Sequence, residues 1–290
     1  MRPYSRVYAT VNLDAVASNM RSMRDNLPAS TLIMGSVKAD GYGHGSVPVA
    51  KTIEPYVFGY AVATIDEGII LRRHGINKTI LILGVTHESR YEDLLRYDIR
   101  TAMFQYEKAK KLSDLALKQG KKAVVHLALD TGMSRIGMKA DREHAKEAAA
   151  IAALEGIEVE GLFTHFARAD ETDKSAYEEQ YRRYKEFLGY LKELGVKIPI
   201  RHCSNSAGIV ESLESNHMDM VRAGIAIYGM YPSDEVDHNS VKLTPAMEIK
   251  SCITYIKEIE AGTAVSYGGT FVADHTMKVA TIPVGYGDGY

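Results

Sequence analysis

The stretch Thr31–Gly45, TLIMGSVKADGYGHG, joins a run of mostly apolar residues to a turn that is rich in glycine. Its first part, Thr31–Val37, has the length and the apolar character of a buried β-strand. Lys38 stands at the carboxyl end of this run, and three of the seven residues that follow it are glycine. The stretch therefore predicts a buried strand that ends in a chemically active side chain and then turns sharply.

Short apolar or β-branched runs recur along the chain, and eight of them are predicted to be strands: Thr31–Val37, Tyr56–Ala63, Thr79–Leu83, Ile99–Phe104, Ala123–Leu129, Ile157–Thr164, Ile198–Cys203 and Met218–Val221. Amphipathic stretches between them are predicted to be helices, among them Tyr106–Gln119, Asp141–Ala153 and Asp173–Leu194. Strands that alternate with helices are expected to be parallel and joined by right-handed crossovers. Because eight such repeats close a barrel, we predict an α/β fold whose main part is a (β/α)8 TIM barrel.

An open, doubly wound sheet is the main competing fold. The GxGxxG pattern that often marks such a sheet is absent from the sequence. Residues with evident chemistry follow the first, fifth, sixth, seventh and eighth predicted strands, and the active site of a barrel lies at that end of its strands. Both observations favour the barrel.

The character of the sequence changes near Leu243. Three predicted strands follow with no long helix between them: Pro245–Tyr255, Thr263–Tyr267 and Met277–Val284. We therefore expect two domains, a barrel over residues 1–242 and the start of an antiparallel β domain over residues 243–290. Because Val284–Tyr290 reads as a strand running into a turn with nothing after it, we expect the second domain to be cut short.

Composition excludes several classes of protein. Of 290 residues, 46% are hydrophobic and 25% are charged, which is typical of a globular protein and not of a disordered one. The formal net charge of −2 gives no positive field for nucleic acid or an anionic membrane. The two cysteines have no disulfide-framework or metal-binding spacing, and the N-terminal residues lack a secretory pattern. We expect a cytoplasmic protein whose partner is a small molecule.

Lys38 is the sharpest candidate for chemistry. An amine that is shielded from water at the mouth of a barrel is disfavoured in its charged form and can act as a nucleophile and a base. A lysine at a strand end can equally extend along the surface with its ammonium group in water. Position alone favours this second interpretation, and only the surrounding residues favour the first.

Six segments resemble, in their order along the chain, the motifs of the alanine racemase family: VKADGYGHG (37–45), DTGMSR (130–135), THFA (164–167), SNSA (204–207), RAGI (222–225) and VSYG (265–268). Together they span most of the chain. Members of this family are pyridoxal-phosphate-dependent enzymes of fold type III, with a barrel and a β domain. The resemblance implies an amino-acid racemase, an isomerase, that interconverts L- and D-alanine and supplies D-amino acid for cell-wall peptidoglycan.

The resemblance also implies how pyridoxal 5′-phosphate is bound. Its cofactor-binding residues match Lys38, Tyr42, Asn205, Ser206, Arg222, Gly224 and Ile225 in this chain. Lys38 would hold the cofactor covalently, and Arg222 would face the pyridine nitrogen. Because arginine keeps its proton near neutral pH, that nitrogen should stay unprotonated, which weakens the electron sink and limits side reactions. The related barrel decarboxylases place an acidic residue there, so Arg222 favours a racemase.

Racemisation needs acid/base groups on both faces of the substrate. The resemblance assigns these roles to Lys38 and Tyr267, and in the family this tyrosine serves the lysine of the other subunit of a homodimer with shared active sites. Since a tyrosine pKa of about 10 is too high for an efficient base near neutral pH, a helper is needed, which the resemblance assigns to His165. His202 is expected to join the same hydrogen-bond network. The residues matched to substrate contacts are Arg135, Asp170 and Tyr286.

The sequence departs from the family at Ala128, where many members carry a carbamylated lysine that positions the arginine matching Arg135. Alanine and serine both remain open as substrates. A non-catalytic barrel that binds pyridoxal phosphate for homeostasis is the alternative function, and the segment around Tyr267 disfavours it. A third interpretation is a metal-dependent hydrolase that uses His44, His165 and His202, but no metal motif supports it.

Overall fold

The computed structural model describes residues 6–289. The outermost parts of the two predicted domains, residues 1–5 and Tyr290, lie outside the described residues. In chain order the strands are β1 (Val7–Val11), β2 (Leu32–Ser36), β3 (Gly59–Val62), β4 (Thr79–Ile82), β5 (Arg100–Met103), β6 (Ala123–Asp130), β7 (Met138–Lys139), β8 (Ile157–Phe163), β9 (Ile200–His202), β10 (Met220–Ala223), β11 (Met247–Ser251), β12 (Tyr255–Ile259), β13 (Ala264–Val265), β14 (Phe271–Val272) and β15 (Met277–Thr281). The helices are α1 (Leu13–Asp25), α2 (Lys38–Tyr42), α3 (Ser46–Ile53), α4 (Ile65–Arg73), α5 (Tyr91–Tyr97), α6 (Tyr106–Lys118), α7 (Arg142–Ala152), α8 (Ser175–Glu193) and α9 (Ser206–Val210).

Eight parallel strands form a closed barrel. Going round the ring they are β2, β3, β4, β5, β6, β8, β9 and β10, in the same order as in the chain. The last strand returns to the first, with Met220 of β10 opposite Leu32 of β2. The predicted (β/α)8 barrel is confirmed, and each of its strands lies within or beside a predicted run. β7 is a two-residue addition at the end of β6.

Apolar side chains fill the barrel, as expected for a packed core. One cluster inside it combines residues from four strands, namely Met34, Ala61, Leu81 and Met220. A second cluster comprises Ala102, Ala128 and Phe163. The surrounding helices bury one face at helical spacing, as α6 does with Ala109, Leu112, Ser113 and Ala116.

Helix starts are set by local capping. Thr64 and Glu67 form a capping box at the start of α4. The side chain of Asp141 accepts a hydrogen bond from His144 N at the start of α7, and Asn205 caps α9 by accepting one from Gly208 N. Within residues 6–289, none of the helices combines the length and the apolar character that crossing a bilayer would need.

Residues 13–246, which contain the barrel, form one compact unit. The described residues up to Asn12 and those from Met247 onward form a second unit of antiparallel strand pairs. The antiparallel β domain is therefore confirmed, but two details differ from the sequence prediction. β1 was not predicted as a strand and pairs with β11. The single strand predicted over Pro245–Tyr255 is divided, because β11 pairs with β1 whereas β12 pairs with β15.

Candidate functional site

Two adjoining cavities lie at the carboxyl ends of the barrel strands, with volumes of about 220 and 310 Å³. They share Lys38, Leu83, Met133, His165 and Arg222 in their walls. Ten of the predicted site residues line one or both cavities: Lys38, Tyr42, Arg135, His165, Asp170, Asn205, Ser206, Arg222, Gly224 and Ile225. Another cavity, of about 390 Å³, lies beside α5 and the start of β6 and contains none of them.

The turn after Lys38 has an unusual backbone. Ala39, Asp40, Gly41, Tyr42 and Gly43 all have positive φ angles, of 51°, 50°, 62°, 52° and 82°. Five consecutive left-handed residues are rare because all but glycine pay a steric cost there. The predicted turn is thus a short left-handed segment, which sequence reasoning did not anticipate.

Side chains from two sources hold this turn. Asp40 Oδ1 accepts a hydrogen bond from Ser46 N at 2.8 Å, which closes the turn onto the start of α3. Glu67 Oε1, from the first turn of α4, accepts a hydrogen bond from Ala39 N at 2.8 Å. The residue after Lys38 is therefore tied to the neighbouring βα unit, which fixes the base of the lysine side chain.

Hydroxyl and amide groups converge in the wall of a cavity that Lys38 also lines. Ser206 Oγ accepts hydrogen bonds from Gly224 N at 2.9 Å and from Ala226 N at 3.3 Å. A Cβ atom at Gly224 would lie 3.5 Å from Ser206 Oγ and 3.7 Å from the Tyr42 hydroxyl, so both hydroxyls face the space that a side chain would occupy. The short 3₁₀ helix Ile225–Tyr228 begins at the same place. Asn205 supports this loop, since its Nδ2 donates to Phe166 O at 3.4 Å.

Arg222 is buried, with 3% of its surface exposed. It lies near the end of β10, one residue beyond the predicted strand. Its Nη2 donates to the carbonyl oxygens of Thr164 at 2.7 Å and Cys203 at 3.1 Å, and its Nη1 lies 2.8 Å from His202 Nδ1. Burial lowers the pKa of Arg222 to about 10, so the guanidinium stays charged at neutral pH. The expectation that His202 joins this network is confirmed.

His165 lies beside Arg222, with its Nδ1 3.2 Å from Arg222 Nη2. Because a guanidinium only donates, Nδ1 must accept, and the neutral ring carries its proton on Nε2. Burial, followed by the positive charges of Arg222, Arg135 and Lys38, lowers the pKa of His165 to about 3. The ring is therefore neutral at pH 7 and has one N–H to offer.

The cavities are rich in positive charge. Among the described residues, Lys38, Arg135 and Arg222 form no ion pair with an aspartate or glutamate. Ala128 packs against apolar neighbours and gives Arg135 no polar partner. Three cations without carboxylate partners, together with the hydroxyl and amide groups at Gly224, suit a small anionic ligand such as a phosphate ester.

Two predicted site residues belong to the second unit. Tyr267 begins a short 3₁₀ turn that extends to Gly269, and its side chain is 99% exposed. Tyr286 begins another such turn and is 96% exposed.

Sequence reasoning missed three polar groups near the site. Ser36 lines the larger of the two cavities, and its buried Oγ has no hydrogen-bond partner. His126 and Glu160 extend the network of His202. A signal for His126 exists in β6, because residues 126, 128 and 130 share one face of the strand and Ala128 is in the barrel interior. For the third candidate function, no group of three or more metal-ligating side chains occurs in the part of the chain that the structure describes.

Comparison with known proteins identifies the family. The family model described as "Alanine racemase, N-terminal domain" matches residues 11–232, and "Alanine racemase, C-terminal domain" matches residues 246–290. An alanine racemase of Desulforamulus reducens is 43% identical over 285 residues, which are 98% of this chain and 77% of the relative. One from Clostridium perfringens is also 43% identical over 285 residues, covering 98% of this chain and 73% of the relative.

Solved structures of alanine racemases resemble this chain as well. The alanine racemase of Clostridium difficile 630 has a TM-score of 0.91 at 41% identity, covering 100% of this chain and 76% of that one. The crystal structure of alanine racemase from Bacillus anthracis with bound L-Ala-P has a TM-score of 0.88 at 33% identity, covering 100% of this chain and 75% of that one. With both family models matched in order and a closed barrel that carries the family's motif residues at one mouth, this chain belongs to the alanine racemase family.

Proposed function

We propose that this protein is a pyridoxal-phosphate-dependent racemase that interconverts L- and D-alanine by a two-base mechanism. The observation that carries the proposal is the barrel mouth, where Lys38, His165 and Arg222 line both adjoining cavities and Arg135 lines one of them, in a chain of this family. We further propose that it works in the cytoplasm and supplies D-alanine for peptidoglycan, as the family resemblance implies.

The residues present fit the cofactor. Lys38 would hold it covalently. The hydroxyls of Tyr42 and Ser206 and the backbone N–H of Ile225 would hold its phosphate, and the N–H of Gly224 would exchange its hydrogen bond to Ser206 Oγ for one to the phosphate. The support is the convergence of two hydroxyls on the space beside Gly224 and the excess of positive charge around it. Asn205 would hold this loop in place. When bound, the cofactor would supply an electron-withdrawing ring that acidifies the substrate Cα–H bond.

Arg222 would donate a hydrogen bond to the pyridine nitrogen. Its guanidinium keeps its proton at neutral pH, because burial lowers its pKa only to about 10. The ring nitrogen would then gain a hydrogen bond without gaining a proton. Such an environment favours prompt return of the substrate proton over side reactions, which suits a racemase.

Lys38 and Tyr267 would move protons on opposite faces of the substrate. We propose that Tyr267 acts in the active site of a second copy of the chain, so that the enzyme is a homodimer. Its side chain is almost fully exposed, and apolar side chains of the same unit are at least half exposed, namely Ile253, Tyr255, Ile256, Phe271, Val272 and Ile282. So much exposed apolar surface supports association.

His165 would assist Tyr267 of the second copy. Its neutral ring can donate from Nε2, and a donated hydrogen bond favours the ionised form of a phenol. Arg135 would bind the substrate carboxylate, and Asp170 and Tyr286 would lie along the route by which the substrate enters. For alanine as the substrate, the support is the name shared by the curated relatives and the Bacillus anthracis structure with bound L-Ala-P. Serine is the competing substrate to assay.

The test is to add pyridoxal 5′-phosphate to the protein, reduce with borohydride, map the adduct by mass spectrometry and assay D/L-alanine and D/L-serine. An adduct on Lys38 with alanine racemisation is expected, and Lys38→Ala should abolish both. Tyr267→Phe should retain the adduct and lose proton abstraction from L-alanine. An adduct without turnover would instead favour the homeostasis protein, and the absence of an adduct would refute cofactor binding.

Mixing the two inactive variants tests the shared active site. If Tyr267 serves the other subunit, hybrid dimers of Lys38→Ala and Tyr267→Phe each contain one intact site. Random exchange makes half the dimers hybrids, so about a quarter of wild-type activity should return. Activity that stays at zero after proven subunit exchange would contradict a shared site.

A further inference from the structure

A line of hydrogen bonds runs from Arg222 away from the cavities to a carboxylate. Arg222 Nη1 lies 2.8 Å from His202 Nδ1. His202 Nε2 lies 2.8 Å from His126 Nδ1, and His126 Nε2 lies 2.9 Å from Glu160 Oε2. Both imidazole rings are completely buried, so each ring nitrogen depends on this line for its hydrogen bond.

The polarity of the line follows from its two ends. A guanidinium only donates, so His202 Nδ1 accepts and its proton is on Nε2. That proton is donated to His126 Nδ1, which leaves the proton of His126 on Nε2, facing Glu160. An ionised carboxylate only accepts, so the two ends require the same tautomer of each ring.

Both rings are neutral. Burial lowers the pKa of His202 well below its usual value, and the charges of Arg222 and His126 act in the same direction. Burial also lowers the pKa of His126, in spite of the opposing effect of Glu160. Burial alone would raise the pKa of Glu160, but its contacts with His126 and Arg100 lower it overall, so the carboxylate stays ionised.

The backbone is shaped around His126. The pairing of β6 with β8 shifts register between Val125 and His126, which indicates a β-bulge. A Cβ atom at Gly161 would lie 2.4 Å from His126 Nδ1, so only glycine leaves room for the ring. At the outer end, Arg100 Nε lies 3.5 Å from Glu160 Oε2 and holds the carboxylate from the other side.

We propose that Glu160 is a positioning residue for Arg222, acting through His126 and His202 by fixing the tautomer of both rings. Without an obligate acceptor at position 160, Arg222 alone selects the tautomers, and the proton of His126 can move to Nδ1 in a fraction of the molecules. His202 then has to accept at Nε2 and carry its proton on Nδ1, where it meets an N–H of Arg222. Two donors cannot share a hydrogen bond, so the guanidinium loses one buried partner and its Nη1 shifts away from His202, while the bonds from Nη2 to Thr164 O and Cys203 O remain.

The effect on catalysis rests on the proposed function, because that effect requires Arg222 to face the cofactor. The tautomers of His126 and His202 do not depend on the proposed function. Glu160→Gln is the informative variant, since an amide of the same size can present either N–H₂ or oxygen to His126. Glu158→Gln is the matched control, because Glu158 lies two residues earlier on β8 and its side chain is exposed.

The first measurement is ¹⁵N NMR of the histidine side chains without added cofactor, assigned with His126→Gln and His202→Gln. In the wild type and in Glu158→Gln, both rings are expected as neutral tautomers protonated on Nε2. In Glu160→Gln, a second tautomer of both rings should appear. A wild-type ring protonated on Nδ1, or unchanged tautomers in Glu160→Gln, would overturn the proposal even if racemisation is absent from the wild type.

The second measurement compares kinetics and absorption with pyridoxal 5′-phosphate bound. At metal sites, loss of a residue that orients a ligand side chain commonly costs tenfold or more in activity, and we take this as the scale for Arg222. Glu160→Gln should therefore lower kcat for alanine by roughly tenfold, with little change in KM, and shift the absorption of the bound cofactor. An equal loss in Glu158→Gln, or a loss confined to KM with an unchanged spectrum, would contradict a positioning role.

Discussion

At the scale of single residues, the backbone beside Lys38 has the longest run of positive φ angles among the described residues. Three of its five left-handed residues, Ala39, Asp40 and Tyr42, are not glycine, and each costs about 1–2 kcal/mol relative to the right-handed form. Such strain persists only where surrounding contacts fix it. Here they are the hydrogen bonds to Asp40 and Glu67. The arrangement fixes the base of the lysine side chain at the cavity.

Gly41→Ala should destabilise this turn. Its φ is +62°, and an added Cβ would lie 3.3 Å from both the N and the Cα of Ser46. We expect the free energy of unfolding to fall by about 1–3 kcal/mol, measured in urea. Gly43→Ala is the matched control, because its φ is +82° but nothing lies within 4 Å of an added Cβ. Equal losses in the two variants would show that the contact with Ser46 is irrelevant.

At the scale of elements, one carboxylate joins two βα units. Glu67 closes the capping box of α4, and its Oε2 accepts a hydrogen bond from Ala63 N at 2.7 Å. Its Oε1 accepts the hydrogen bond from Ala39 N. The sequence TIDE at 64–67 indicates a capping box, but the bond to Ala39 requires α4 to pack beside the turn after β2.

Glu67→Ala should therefore lower the free energy of unfolding by more than the loss of an ordinary helix cap does. It removes the acceptor for the N–H groups of Ala39 and Ala63, and we expect a loss of about 1–3 kcal/mol in urea unfolding together with faster amide exchange at Ala39. Asp66→Ala, in the same turn of α4, removes an exposed ion pair with Arg90 and should cost under about 1 kcal/mol. If Ala39 exchange stays at its wild-type rate in Glu67→Ala, the link between the two units is not significant.

At the scale of the whole molecule, the closed barrel takes polar groups out of water and satisfies them internally. His126 and His202 are completely buried in the barrel unit. Their pKa values are lowered chiefly by burial, so the folded protein keeps them neutral at a pH where an unfolded chain would protonate them. Protonation therefore favours the unfolded state.

Stability should fall as the pH is lowered from 7 to 5. An unfolded histidine has a pKa near 6.5, and the folded values are lower, so the unfolded state binds more protons throughout this range. Each of the two rings should lower the free energy of unfolding over this range, by at most about 2 kcal/mol between pH 7 and 5, the limit set by the unfolded pKa. Urea unfolding at a series of pH values measures the slope. His202→Gln should reduce the slope of stability against pH. His87→Gln, at an exposed site, is the control and should leave the slope unchanged. A wild-type free energy of unfolding that is constant or rises toward pH 5 would contradict the assignment of neutral rings.

Local patterns in the sequence accounted for the barrel strands and for most residues at the mouth of the barrel. Strand and helix periodicity is a property of neighbouring residues, so eight strands could be predicted without knowledge of their partners. β1 was missed because its partner, β11, lies about 240 residues away in the chain, as the pairing of Val7 with Ser251 shows. The division of the strand predicted over Pro245–Tyr255 likewise depends on two different partners.

The sequence by itself determined the family, the order of the strands, and the residue types that the barrel brings to its mouth. Only the tertiary structure decided which groups meet there: His126 and His202 are 76 residues apart and His126 and Glu160 are 34 apart, yet each pair is hydrogen-bonded. It also decided the protonation of these rings, because their neutral state follows from burial. Residue type and periodicity are carried by the chain, whereas a hydrogen-bond partner and a shifted pKa exist only once the barrel has closed and excluded water.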